Sequence, residues 1–546
     1  MADELVTDEM RDSGTPAEVV IRAYARQPQI DPTCGVALPG PAREVRGTPK
    51  NRLVTIGDSL TQGFQSGAIW NTALSWPRLV ARELGCELEF RFPHYPGPEG
   101  GSPLNLEALV RKLERHNHGA INWLRLPRTA IDTLGTLVEL TVWATQHWRD
   151  GVDRRSGIPH NLAVWGWDLR DCLDWTADRL AAFIAEDDDS YWRNNNAKAA
   201  WRVLEPARDA AGHSLTVFQA AAELGRQGTS ADPTGPGIET LVVMLGSNNA
   251  LGTIVSLGAP RWSEEPGYRS LLGKQGYDVW RPSHFANELA EIVQALERVN
   301  AQHVVLATVP HVTIAPLAHG VGTKKVRPGS RYFPFYCRPW VAEGDFDPRE
   351  DRSLSAAQAR AIDAAIDQYN EAIEQVVVRA RRAGRDWYLL EVSGLLDRLA
   401  FRRYLDDPDA RPPWWDAVGG AYRLPEAVAV LQPQVDSRFF NSDRDRRSQG
   451  GLFSLDGVHP TTIGYGLLAQ EVIKVMQLAG VPFYGSERAA LPRPGAVQLD
   501  FERLLELDTL MRQPPLSLSG DLGFFGHLDQ HFDQLLRLFG AQFPWP

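Results

Sequence analysis

Gly57-Asp58-Ser59-Leu60 follows directly on the apolar run Leu53-Val54-Thr55-Ile56, and far downstream stands Asp456-Gly457-Val458-His459-Pro460. Together these segments hold a hydroxyl, an imidazole and a carboxylate. A serine hydroxyl attacks well at neutral pH when a nearby imidazole takes its proton and a carboxylate fixes that imidazole's tautomer. Ser59, His459 and Asp456 fit the roles of nucleophile, base and orienting group. Taken alone, Ser59 reads equally well as a turn or helix N-cap residue. Two further segments also end strand-like runs: Asn161-Leu162-Ala163-Val164-Trp165-Gly166, and Leu241-Val242-Val243-Met244-Leu245-Gly246-Ser247-Asn248-Asn249. Attack on an ester builds negative charge on the carbonyl oxygen, and fixed N–H donors aimed there are commonly the largest catalytic contribution. The Ser59 and Gly166 amides and the Asn248 side chain could form such an oxyanion hole. Glycine suits position 166 because no Cβ blocks a close backbone approach.

In this order the residues resemble the four sequence blocks of the GDSL or SGNH hydrolases, a family of esterases and lipases. Carried over residue by residue, the resemblance implies Ser59 as nucleophile and first oxyanion donor, with Gly166 and Asn248 as the other two donors. His459 is then the general base, and Asp456, three positions before it, completes the catalytic triad. One position departs from the pattern, because the third block usually ends in aspartate and here reads Gly246-Ser247-Asn248-Asn249. Position 61 is Thr, so the G-x-S-x-G elbow of the α/β-hydrolases is absent. The implied fold is α/β, a flavodoxin-like three-layer sandwich around a five-stranded parallel sheet. The implied activity is serine carboxylic-ester hydrolysis through an acyl-enzyme, without metal or organic cofactor, on a lipid, an acetylated carbohydrate or a small ester. Two alternatives share the residues: an acyltransferase using the same triad, and a catalytically silent binding or scaffold protein on the same fold.

The elements that must position these groups are visible as an alternation. Five short apolar runs, Leu53 to Ile56, Leu162 to Trp165, Leu241 to Leu245, Val304 to Ala307 and Trp387 to Val392, read as strands. Between them, Phe285, Leu289, Ile292, Val293 and Leu296 mark one helical face, and Ile362, Ile366, Tyr369, Ile373 and Val377 another. Ser353 and Thr461 are candidate helix caps. Such a β-α repeat calls for a parallel sheet covered on both faces, with ligands outside the carboxyl ends of its strands.

Ser59 and Asp456 are 397 positions apart (456 − 59), which requires large insertions. They are expected at about 88–160, 187–237, 258–281, 310–352 and 393–452 within a hydrolase domain spanning 51–485. Loops that long usually carry helices, and a lid or subdomain would set substrate preference. Residues 1–50 read as an extension wrapped on the surface or partly mobile. Residues 486–546 read as a C-terminal helical extension with a stripe of Phe525, Leu528, Phe532, Leu535, Leu536 and Phe539. Its polar face carries Asp529, Asp533 and Arg537, which favours packing on the domain, or a homodimer contact, over a membrane surface.

The chain has 546 residues, 43% of them apolar, so a sizeable core is available. A net charge of −11 and no Lys/Arg block argue against nucleic-acid binding. The four cysteines are scattered, which points to free thiols. The acidic N-terminus carries no leader-like pattern and no apolar run spans a bilayer, so the expected location is cytoplasmic, or secreted had a leader been removed. Among 17 tryptophans, Trp165 and Trp167 flank Gly166 and are candidate substrate contacts. So are Tyr336 and Trp340 in an aromatic, proline-stiffened loop. His116 and His118, His311 and His319, and Asp187-Asp188-Asp189 match no metal-ligand spacing.

Overall fold

In the computed structural model, which describes residues 6–40, 45–95, 101–116, 149, 152, 156–186, 191–324, 331–444, 446–486, 488–516 and 518, the first apolar run forms the heart of strand β1 (Asn51–Gly57). The third, fourth and fifth runs form β2 (Ile238–Met244), β3 (Ala301–Ala307) and β4 (Trp387–Leu390). They pair in parallel in the order β1-β2-β3-β4. Strands buried on both faces need apolar residues at consecutive positions, which is how these runs read.

Alternate residues serve two separate cores. Val54, Ile56, Leu241, Val243, Val304 and Leu306 join one cluster, while Leu53, Val242, Met244, Val305, Ala307 and Leu390 join the other. The one-turn helix α1 (Ser59–Gln62) follows β1, and six longer helices cover the faces. Helices α3 (Val217–Gly225), α5 (Pro282–Leu296) and α6 (Ala356–Arg382) contribute to the first cluster. Helices α2 (Trp76–Leu84), α7 (Val392–Leu399) and α8 (Thr462–Leu478) contribute to the second. Helix α4 (Asn248–Ser256) follows β2 directly. The helix over Ile362 to Val377 is capped by Ser355, not by Ser353: the Ser355 side chain accepts from Gln358 N and Gln358 answers in a reciprocal capping box. Thr461 does cap α8, accepting from Gly464 N at 3.2 Å.

The sheet has four strands and not the expected five. The run from Leu162 to Trp165 lies along the outer edge of β1, with Leu162 N and Val164 N donating to Thr55 O and Gly57 O at 2.8 and 3.1 Å. It makes only an isolated parallel bridge, Thr55 with Asn161. Beside it, Asn161 Oδ1 accepts from Ala163 N at 3.2 Å and from the Thr55 hydroxyl at 3.1 Å.

Register brings the carboxyl ends of the strands level. Gly57 stands opposite Met244, Val243 opposite Leu306, and Ala307 opposite Leu390. The chain segments that leave those ends therefore meet at one rim.

The N-terminal segment is fixed to the other edge. Pro32 O accepts from Leu389 N at 2.8 Å, Arg26 pairs with Glu391 at 2.7 Å, and Ala25 O accepts from Trp414 Nε1 at 2.9 Å. Past Gly485, Phe501 and Leu504 are buried in the cluster that includes α8. The stripe from Phe525 to Phe539 lies outside the described residues. Among the described residues no helix is long and apolar enough to cross a membrane.

Candidate active site

Ser59 opens α1 immediately after β1. The extended residue Asp58 caps that turn, its Oδ1 accepting from Leu60 N at 3.0 Å, and Gly63 at φ +92° closes it with a bond to Ser59 O. Burial pushes the Asp58 carboxyl up to about 6, although the hydrogen bond from Leu60 and the neighbouring His459 both oppose the rise. The turn is tight. A Cβ on Gly57 would lie 2.2 Å from Thr61 Oγ1 and 2.9 Å from Met244 O. Gly57→Ala must therefore displace α1 or β2. A shift of about 1 Å in a reacting group can cost roughly a hundredfold, so with Ser59 as the nucleophile of an ester hydrolase, the reading proposed below, kcat/KM of the Gly57→Ala variant is expected to fall at least tenfold. An unchanged value would show that the turn does not position Ser59.

The tetrapeptide from Asp456 to His459 folds back on its own carboxylate. Asp456 Oδ1 accepts from Val458 N at 2.9 Å and His459 N at 2.8 Å, while Oδ2 accepts from His459 Nδ1 at 3.1 Å and Gly67 N at 2.8 Å. Burial alone would raise this carboxyl, but the imidazole charge and these donors outweigh it and hold Asp456 below the usual carboxylate range. With Nδ1 donating to Asp456, Nε2 is left as the acceptor. That atom is buried and has no hydrogen-bond partner. The Phe64 ring packs 4.4 Å from the imidazole and fixes its plane.

Ser59, at 3% exposure, and His459, at 1%, line the same cavity of about 110 Å3. No hydrogen bond joins Ser59 Oγ to Nε2; such contacts commonly tighten when substrate arrives. The cavity sits at the rim described above. Ser247 enters from the end of β2, Val312 from beyond β3, Val392 and Leu396 from α7, and Leu467 from α8. Its wall is overwhelmingly apolar.

A second histidine, His311, also lines this cavity, but it has no nitrogen to offer. Nδ1 faces Asp397 and Nε2 faces Asp367, each at 3.0 Å. His459 is the one of the two with an open nitrogen.

The three oxyanion candidates belong to one hydrogen-bonded unit. Asn161 Nδ2 donates to Thr61 O at 3.0 Å and Gln62 Oε1 accepts from Trp165 N at 2.7 Å, which ties α1 to the Gly166 turn. Asn248 Nδ2 donates to Trp167 O at 2.8 Å, which ties α4 to the same turn. Gly166 has φ +74°, a conformation glycine adopts at no steric cost. Among the described residues, the Ser59 and Gly166 amides donate to no other group. One Asn248 N–H is spent on Trp167, and neither Gly166 nor Asn248 lines the cavity that Ser59 and His459 share. Asn249, where the resembled block has aspartate, is wholly buried, with both side-chain polar atoms lacking partners.

The aromatic candidates fall elsewhere. Trp165 is a buried ring 5.5 Å from Phe64, and Trp167 belongs to the main core. Tyr336 lines a different cavity, and Trp340 packs beside the cluster of Leu106 and Leu109. None lines the cavity with Ser59. The contacts that sequence reasoning missed are Gln62, Asn161 and Phe64, all polar or aromatic residues beside the motifs, together with the leucines of α7 and α8. No group of three or more potential metal ligands occurs among the described residues.

Compared with protein-family models and with curated proteins, the chain matches none.

Proposed function

We propose that this chain is a serine carboxylic-ester hydrolase of the GDSL or SGNH kind, an esterase or lipase built on a flavodoxin-like α/β domain spanning about 51–485. The observation that carries the reading is the His459 imidazole, anchored through Nδ1 on Asp456 with Nε2 open, beside a cavity that Ser59 also lines. The order of segments across the sheet, 161–164 then β1 to β4, supports the doubly wound plan.

His459 Nε2 takes the Ser59 proton as the oxygen attacks the ester carbonyl, and Asp456 stabilises the imidazolium. The developing oxyanion is met by the free amides of Ser59 and Gly166, with Asn248 holding the Gly166 turn and offering its second N–H. The imidazolium then protonates the leaving alcohol. Water, activated by the same nitrogen, releases the acid from the acylated serine. Each donor of this kind is worth on the order of 3 kcal/mol of barrier.

The apolar wall favours an alkyl acyl chain over a sugar at this position. Each methylene it buries contributes about 0.8 kcal/mol, roughly fourfold in kcat/KM. Across p-nitrophenyl esters from acetate to laurate, kcat/KM is expected to rise to an optimum at short or medium length and then fall as the cavity fills. A profile without an optimum would reject this acyl site, and absence of turnover on the whole series would reject the hydrolase reading.

A further inference from the structure

A second cavity, of about 290 Å3, shares the 312–318 segment with the first. Val312 and Ala315 face the cavity of Ser59, while Thr313, Ile314, Pro316 and Ala318 face the other. The chemistry of the two differs sharply. The second is lined by Arg331, Arg402, Arg403 and Arg438, with Asp406 as its one lining carboxylate among the described residues.

Two of these guanidiniums are matched. Arg403 pairs with Asp363 at 2.8 Å, and Arg438 grips Asp436 through two bonds of 3.0 and 2.7 Å. The other two form no ion pair among the described residues. Arg402 lies 4.6 Å over the Phe333 ring and bonds through Nη1 to His319, a neutral partner that burial and Arg402 itself drive down to about 4. Burial also pulls the Arg402 guanidinium below its usual value, and Asp406 and Glu343 only partly oppose this from a distance. Glu343 is meanwhile engaged by Gly322 N at 2.9 Å. Arg331 donates to Ala23 O at 3.1 Å and to the Tyr332 hydroxyl at 2.8 Å, yet its Nε is buried with no partner.

Withdrawing a guanidinium from water without giving it a carboxylate is costly. An anion in the cavity would repay that cost, and the planar fork of arginine matches a carboxylate or phosphate through two parallel bonds. We propose that this arginine-lined cavity is a binding site for the carboxylate or phosphate group of a small molecule, held chiefly by Arg402 and Arg331. The site stands independently of the ester chemistry.

Calorimetric titration of the full chain with inorganic phosphate and, separately, with succinate, at ionic strength held constant with sodium chloride, tests this. Saturable binding of at least one anion is expected, with the tighter of the two identifying the favoured group. Arg402→Gln should weaken it at least tenfold, whereas Arg226→Gln, on the distant solvent-exposed end of α3, should leave it within twofold. Arg402→Lys retains the charge and loses the fork; it is expected to weaken binding severalfold, and it serves where the glutamine variant fails to fold. No saturable heat with either anion, or equal affinity in the parent and both Arg402 variants, would overturn the proposal.

Discussion

Replacing Ser59 with alanine is expected to lower ester turnover by roughly ten-thousand- to million-fold, the range seen when a nucleophile is removed from a cooperative triad. The fold should survive the change. Among the described residues the Ser59 side chain makes no hydrogen bond, so its removal strands no buried partner. His459→Ala should cost a comparable factor, because without its open nitrogen nothing else at the cavity can take the proton: His311 is held at both nitrogens. The comparison needs kcat/KM on a short p-nitrophenyl ester together with a melting curve for each protein. A fluorophosphonate probe should label the parent and leave the Ser59→Ala variant unlabelled. Turnover retained in that variant, with an unchanged melting curve, would remove the nucleophile from position 59.

A second large effect is expected in stability, at His311. Burial would strip its proton, but the charges of Asp397, Asp363 and Asp367 outweigh that and raise the imidazole to about 10. His311→Gln leaves Asp367 and Asp397 buried without their shared cation. Breaking a buried ion pair from one side costs roughly 3–5 kcal/mol. The pH dependence has a definite sign. Because the folded-state value lies above the ordinary 6.5, the contribution is complete below about 6.5 and is lost as pH rises through about 10. Denaturant titrations should thus show a gap between parent and variant that is widest below about pH 6.5, narrows as pH rises toward about 10 and is largely gone above it. Identical midpoints at neutral pH would mean that the imidazolium does not hold these elements together.

Much of the fold was legible because a doubly buried parallel strand leaves an unmistakable apolar run. Four such runs became β1 to β4. The fifth had the same composition and lies along β1 with backbone bonds at Leu162 and Val164, yet it makes only an isolated bridge, a difference that residue patterning does not register. Ser59 was legible because chain geometry delivers whatever follows a parallel strand to one rim, whereas Asp456 and His459, in the stretch before α8, follow no strand of that sheet and were legible from their spacing alone. The cavity wall was not. It is assembled from leucines of α7 and α8, whose spacing reads as ordinary core helix whichever way their surplus apolar surface faces. The arginine cavity was hidden for a related reason: Arg331, the Arg402-Arg403 pair and Arg438 come from three separate stretches, and only the folded chain reveals which of them lack acids. Trp165 and Trp167, chosen for standing beside Gly166, point inward because large rings next to a strand edge gain most by filling the core.

The strap formed by the N-terminal segment has a consequence for how the chain is made. Arg26 N bonds to Asp367, 341 positions later, and Ala25 O to Trp414, 389 positions later. This stretch is made well before the residues it binds, so it must wait for them before it finds its seat, and closing so long a span carries an entropic penalty that delays it. Until then the β4 edge and the Arg331 and Arg360 guanidiniums lack the carbonyls that cover them. Docking of the strap covers that edge and supplies those carbonyls in a single step.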